Sequence, residues 1–458
     1  MIKKINQIWQ DLLVSVLLSM AFFAILPMVL AYAPEVWAGE VSGRFTIGGY
    51  LAQERFFEES NDSKSNDLAI ISARSYLKVK GIGDSPLEFI SDLRDKNDFF
   101  EKLSTERARL ENQNDFQARQ LSLKYADQSY FLSVGRLPVT EAGEVFVDGG
   151  LVGKNWSESM YSGVFAGLNP HQRNRSYLLF DDSTRVYGTY YVYHPKATSW
   201  SSSLYSSQAL VSEETDNLIE RIYWYETSSY QWNAHDRIFL LSYLDLNPNV
   251  DLQTLTFQYE QSLWGDWTAT LDLLGIDSIE YSRRQDLRER LPSSSYKEAG
   301  LSLRSYFSRG LPNFEFRTTS GQRDADDLKR RETTLGVNLN NIFDGHWDMY
   351  GLGGYRDNFT SRDIFTRAGA GYYSEKWEFT LDMNYGIEQY PDGVDKHPFT
   401  TDLSAARYID TRLFMTVSLE EIQAENFRNQ GIYFKLSYRY GSQIIAHVRD
   451  GAPSRGRL

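Results

Sequence analysis

In the stretch VGRLPVTEAGEVFVDGG (134–150), one arginine and three carboxylates crowd together: Arg136, Glu141, Glu144 and Asp148. Opposite charges held this close can steer ions, but they break no bond without a nucleophile or a general base beside them. An ordinary surface turn would carry the same residues. A second group lies in SRRQDLRERL (282–291), where Arg283, Arg284, Arg288 and Arg290 accompany Asp286 and Glu289. Their spacing permits a short helix with i,i+4 ion pairs, and their chemistry is that of anion capture or of a solvated loop. A third set is scattered: Arg74, Lys78, Asp92, Asp272, Arg304, Asp382 and Lys435 each interrupt an otherwise aromatic and aliphatic segment. Catalytic and metal chemistry find little support. The histidines (His171, His194, His235, His346, His397 and His447) sit in no HExxH or Gly-x-Ser-x-Gly context and no two have ligand spacing. With 0 cysteines, the chain has no disulfide, no thiolate metal site and no covalent haem attachment. These residues imply no enzyme and no cofactor.

The elements that must position them are strands. In WEFTLDMNYGIEQY (377–390), Trp377, Phe379, Leu381, Met383 and Tyr385 alternate with Glu378, Thr380, Asp382 and Asn384. Such strict alternation is a β-strand with one apolar and one polar face. It recurs along the chain. Phe45, Ile47, Gly49 and Leu51 share one side; so do Ala73, Ser75, Leu77 and Val79, set against Arg74 and Lys78. Leu271 and Leu273 flank Asp272, Leu301 and Leu303 precede Arg304, and Phe434 and Leu436 flank Lys435. Every isolated charge therefore falls on the polar face of its strand.

Composition then chooses the solvent for each face. Aromatic residues make up 14% of the 458-residue chain, with 30 Tyr and 26 Phe, yet charged residues reach 24% and the net charge is −13. A soluble core pairs its rings with Leu, Val and Ile; a membrane barrel needs rings outside and polar residues inside and in its loops. Trp347, Trp377, Tyr372, Tyr385 and Tyr440 fall near strand ends, where amphipathic rings sit at headgroup level. At the N-terminus, Lys3 and Lys4 precede the uncharged run 12–33, and Val36-Trp37-Ala38 fits a small-residue cleavage site before Gly39. Residues 1–38 read as a secretory signal peptide; no later uncharged run is long enough to span, so any membrane crossing must be by strands. Connections alternate in length: 263–266, 308–312, 374–376 and 409–411 are tight, while 276–296, 322–331, 356–362, 389–398 and 420–430 are longer and charged. Taking 144–153 and 160–168 as strands gives about 22 in all, with 18 to 22 as the range. The expected fold is all-β: a transmembrane antiparallel up-and-down β-barrel over residues 39–440, with a periplasmic tail at 441–458.

In these features (signal peptide, dyad repeat with alternating loop lengths, and the last strand GIYFKLSYRY) the chain resembles Gram-negative outer-membrane porins. In that family the final strand ends in an aromatic read by the barrel-insertion machinery, and Tyr440 matches it; the residues after it depart from the pattern. The Val-Gly-Arg of YFLSVGRLP (130–138) is a second, shorter likeness. The resemblance implies an outer-membrane location and passive diffusion of small hydrophilic solutes. It makes 136–148 a candidate pore constriction and the 283–290 arginines an extracellular loop cluster. The scattered charges would then face the lumen. Implied partners are outer-membrane lipid and lipopolysaccharide, the insertion machinery and further copies of the chain; nothing points to nucleic acid. Two alternatives stay open. A barrel sheathing a haem protein in an electron conduit would want small inward residues, for which Gly351, Gly353, Gly354 and 368–371 are candidates. An oligosaccharide channel would want an aromatic slide, for which Tyr187, Tyr191 and Tyr193 are candidates.

Overall fold

A computed structural model describes residues 38–57, 64–83, 85–100, 115–143, 145–170, 184–195, 203–215, 218–233, 236–247, 250–276, 295–307, 310–323, 327–343, 345–358, 361–391, 393 and 395–441. The signal-peptide reading, Glu144, the 283–290 arginines and nearly all of the 441–458 tail lie outside these residues. The strands are Ala38–Phe56 (β1), Lys64–Ile82 (β2), Leu87–Phe100 (β3), Asp115–Ala126 (β4), Tyr130–Val139 (β5), Val145–Ser157 (β6), Met160–Leu168 (β7) and Thr184–Tyr193 (β8). Next come Ser203–Thr215 (β9), Leu218–Gln231 (β10), Arg237–Asn247 (β11), Asp251–Ser262 (β12), Trp267–Ile276 (β13), Tyr296–Ser305 (β14), Pro312–Arg323 (β15) and Lys329–Ile342 (β16). The last are Trp347–Asp357 (β17), Arg362–Tyr373 (β18), Trp377–Gln389 (β19), Asp395–Lys396 (β20), Phe399–Tyr408 (β21), Leu413–Ala424 (β22) and Phe427–Tyr440 (β23).

Each strand pairs antiparallel with its neighbour in sequence, and β23 returns to pair with β1 from Gly43↔Tyr440 to Phe56↔Phe427. β20 is a two-residue pairing that edges β19. The remaining 22 strands form one closed barrel. Closure leaves no unpaired edge, which is what hydrocarbon demands of a spanning sheet.

Alternation decides the faces. Exposed apolar side chains run around the outside: Leu132, Val152, Val164, Leu301, Leu335, Ile364, Leu403, Leu419 and Ile432 are all 46% or more accessible. An apolar belt around a closed barrel is a surface for lipid, not water. Rings gather at both ends of it. Trp347, Tyr372, Phe379 and Trp377 form one chain of contacts at the short-turn end, with centroids 5.2–6.4 Å apart. Tyr385 stacks on His397 at the other end. Tyr440 lies across Gly43 and donates to the backbone carbonyl of Tyr76.

The expected strand count and the strands at 144–153 and 160–168 match the structure, but the loop parity is looser than expected. The connection expected at 420–430 contracts to Glu425 and Asn426, because β22 and β23 pair up to Ala424↔Phe427. The ladder continues beyond the apolar belt, since backbone pairing does not depend on which solvent the side chains meet. Conversely, the β8–β9 connection at 194–202 is long although it lies at the short-turn end.

Candidate functional site

β5 and β6 leave the wall at one level. Their last neighbours are Leu121↔Arg136 on β4 and Asp148↔Leu168 on β7. Beyond that they pair only with each other, through Leu137↔Val147, Pro138↔Phe146 and Val139↔Val145. The sheet bends here at Gly135↔Gly149 and Gly149↔Gly167. Gly135 has φ +115, and a Cβ there would lie 2.2 Å from the Leu121 carbonyl oxygen, so no other residue fits. The result is a two-stranded tongue, 137–147, folded into the barrel.

The tongue packs on the inner wall. Leu137, Val139, Ala142, Val145 and Val147 are 0–8% exposed and join Leu151, Phe165, Val186, Tyr190, Val192, Ala209, Val211, Tyr223 and Tyr225 in one apolar cluster. At its tip Thr140–Ala142 forms a single 3-10 turn. The wall supplies hydrogen bonds to it: Ser207 Oγ donates to the Glu141 carbonyl at 3.0 Å, and Tyr243 Oη donates to that of Gly143 at 3.1 Å. Tyr161 Oη donates to the Glu141 carboxylate at 3.2 Å. Gly143 has φ +80 and touches the Tyr243 hydroxyl, a second position reserved for glycine.

Of the four 136–148 candidates, Arg136 and Asp148 meet at the tongue's root. They form a bidentate pair at 2.6 and 2.5 Å, and Arg136 also donates to the Ala118 carbonyl at 3.0 Å. Their side chains are 8% and 2% exposed, so their charges close on each other. Glu141 alone of the described three is carried inward, on the tongue's tip.

All seven scattered charges stand on the inner face. Arg74 holds Asp92 at 2.6–2.8 Å, Lys78 reaches Glu88 at 3.0 Å, and Arg304 holds Glu315 at 2.9–3.1 Å. Asp272 accepts from Gln258 at 2.9 Å. Asp382 accepts from Tyr350 and faces Arg367 at 3.5 Å, and Lys435 lies 5.8 Å from the Phe414 ring centroid.

Their arrangement divides the wall into sectors. Along β12–β18 opposite charges pair directly, as in Arg304–Glu315 and Arg356–Asp363. Where β23, β1, β2 and β3 adjoin, basic residues gather around two ion pairs, Arg74–Asp92 and Lys78–Glu88: Arg44 is opposite Arg439 and Arg74 is opposite Arg94, with Lys435 beside them. On β19, β21 and β22 the register places Asp382 opposite Asp402 and Asp402 opposite Glu420, a row of carboxylates. The apolar sector under the tongue separates the rest. Sequence reasoning missed this apolar sector. The available signal was apolar character on both faces, as in TRVYGTYYVY (184–193), where Val186, Tyr190 and Val192 face in and Tyr187 and Tyr191 face out. Tyr187 and Tyr191 therefore meet lipid rather than the lumen. Gly354, Gly369 and Gly371 do face inward, but the rings of Phe365, Tyr350 and Tyr373 already cover them.

No protein-family model matches the sequence, and no curated protein is significantly similar to it. Solved structures are similar in shape. The translocation pore of the P pilus usher PapC aligns over 89% of this chain and 100% of its own, at 8% identity and TM-score 0.51. OccAB4 of Acinetobacter baumannii aligns over 89% and 100%, at 10% identity and TM-score 0.45. A BenF-like porin from Pseudomonas fluorescens Pf-5 aligns over 88% and 100%, at 10% identity and TM-score 0.41. The usher likeness and the closed, apolar-belted ring agree: in fold this chain is a transmembrane β-barrel with 22 strands.

Proposed function

We propose that the chain is a channel in the outer membrane of a Gram-negative cell, through which small hydrophilic solutes diffuse passively. One observation carries this reading: the closed barrel turns separate basic and acidic sectors toward its interior. Arg44, Arg94, Lys435 and Arg439 lie on β1, β3 and β23, and Asp382, Asp402 and Glu420 on β19, β21 and β22. Rows of like charge cost free energy in a dry interior, whereas they are solvated in a water-filled one. In water they act as a filter that orients solutes by charge and dipole. The tongue narrows the passage from the β7–β11 side and carries Glu141. Residues 1–38 would direct export, and the 283–290 arginines would lie at the external mouth, where they could meet lipopolysaccharide phosphates.

The test is conductance. Purified barrel added to a planar bilayer should give discrete, ohmic current steps. Folded barrel that leaves bilayers silent would overturn the channel reading, and co-purification with a haem protein would assign the lumen to that partner. Current blocked saturably by one oligosaccharide would replace general diffusion with specific uptake.

A further inference from the structure

The outer face of β9–β11 breaks the apolar belt. Ser206 and Gln208 on β9, Glu226 and Ser228 on β10 and Ser242 on β11 all have lipid-facing parity, opposite to inward-facing Ser207, Ala209, Tyr225 and Tyr243. They are mutual neighbours: Glu226 is opposite both Gln208 and Ser242, and Ser206 is opposite Ser228. Ser228 Oγ lies 3.3 Å from the Glu226 carboxylate and 3.0 Å from Ser206 Oγ. Apolar side chains close the island off above and below. Leu210, Trp224 and Leu244 lie toward the long loops; Leu204, Tyr230 and Ile238 lie toward the short turns.

Depth makes the island costly. Glu226 is five residues from the short-turn end of β10. That is roughly 12 Å along the barrel axis, near the middle of an apolar band ~25 Å tall. Among the described residues, other outward charges occupy the ends, such as Asp95, Glu421 and Arg428 toward the long loops and Lys154 and Arg407 toward the short turns. Those can reach headgroups or water, but hydrocarbon offers Glu226 and Gln208 nothing to bond.

We infer that a second copy of this chain docks on the outer face of β9–β11, the two barrels meeting side by side about a two-fold axis. The chemistry of the patch favours a self-complementary contact over a foreign partner. An ionised Glu226 only accepts, the Gln208 amide donates, and the serine hydroxyls do both. A two-fold operation sets each copy's Gln208 against the other's Glu226, so one patch satisfies itself twice. The flanking Leu210, Trp224 and Leu244 would pack as the dry surround of the polar centre.

The absence of native cysteine makes the test direct. Full-length Ser242→Cys protein in lipid vesicles should form a covalent dimer with a short bismaleimide, and Leu381→Cys on the β19 wall should not. Fluorescently labelled wild-type barrel in dilute vesicles should bleach in two steps. Glu226→Leu combined with Gln208→Leu should bleach mostly in one, with dimer dissociation raised at least tenfold. One-step bleaching of the wild type overturns the proposal, as do equal cross-linking at 242 and 381 and transfer of the 242 cross-link to another outer-membrane polypeptide. If the double variant fails to fold, the cysteine variants decide alone.

Discussion

Replacing the tongue, residues 137–147, with Asn-Gly tests where the solute passes. Arg136 and Asp148 face each other across the two strands, so a two-residue type I′ turn can close the hairpin at that pair. The ladders to β4 and β7 remain, because the tongue makes none of its own with them. Its effect on current follows from geometry. Twenty-two strands ~4.8 Å apart and tilted ~40° close into a ring roughly 44 Å across between backbones. Side chains take about 5 Å from each side, half the spacing of packed sheets, leaving an opening on the order of 900 Å². A hairpin about 10 Å wide and packed about 10 Å from the wall occupies about 100 Å² of it. Single-channel conductance in a planar bilayer should therefore rise by about a tenth. Unchanged conductance in a folded variant would place the current path away from the tongue. A several-fold rise would mean that the tongue closes the lumen instead of lying against one wall. Either result refutes the reasoning. Should removal of the tongue unfold the barrel by wetting Val186, Val192 and Val211, Val139→Asp gives a gentler version, since it detaches the tongue without shortening the chain.

Three further outcomes are expected. Asp148→Ala leaves Arg136 buried and unpaired and should cost ~3–5 kcal/mol, whereas Arg136→Met with Asp148→Leu should cost little or nothing; urea unfolding in vesicles, followed by tryptophan fluorescence, separates them. Leu381→Lys should destabilise the barrel by ~2–4 kcal/mol in the same assay, while Thr380→Lys, one residue away and facing the lumen, should be tolerated. Equal sensitivity at 380 and 381 would contradict the assignment of faces. Asp402→Asn with Glu420→Gln should shift the reversal potential in a salt gradient toward anion preference, and Lys435→Gln with Arg439→Gln should shift it the other way; no shift from either pair would remove the wall sectors from the conduction path.

The wall was legible because its rule is local. Alternation at 377–385 names the outer face residue by residue, and a register slip by one would turn Asp382 toward lipid and Leu381 toward water. The same rule places Arg74, Lys78, Asp92, Asp272, Arg304 and Lys435 inside without knowledge of any neighbour. Pairing was not legible. That Arg136 closes on Asp148 follows from hairpin register, but the burial of that pair follows from a bend whose cause is three glycines on three strands, Gly135, Gly149 and Gly167. The row Asp382, Asp402 and Glu420 depends on the stagger between strands, which no single strand encodes.

The tongue shows why alternation fails where it does. A strand between lipid and water must be apolar on one face only, but β8 and β9 lie between lipid and another piece of protein. Their inward Val186, Val192 and Val211 are therefore as apolar as their outward Leu210. One polar exception on that inner face, Ser207, meets a backbone group of the tongue, the Glu141 carbonyl. The outer face of β9 and its neighbour β10 breaks the rule in the opposite sense, with Gln208 and Glu226 where lipid would select Leu. If departures from alternation report what a face touches, the inward departure identifies the tongue and the outward one identifies a second protein surface. Losing the tongue should therefore favour polar replacements at Val186 and Val211, and a barrel forced to remain monomeric should favour apolar replacements at Glu226. A selection for folded barrel under each condition would read both directly, and the same residues recovered in both would break the connection.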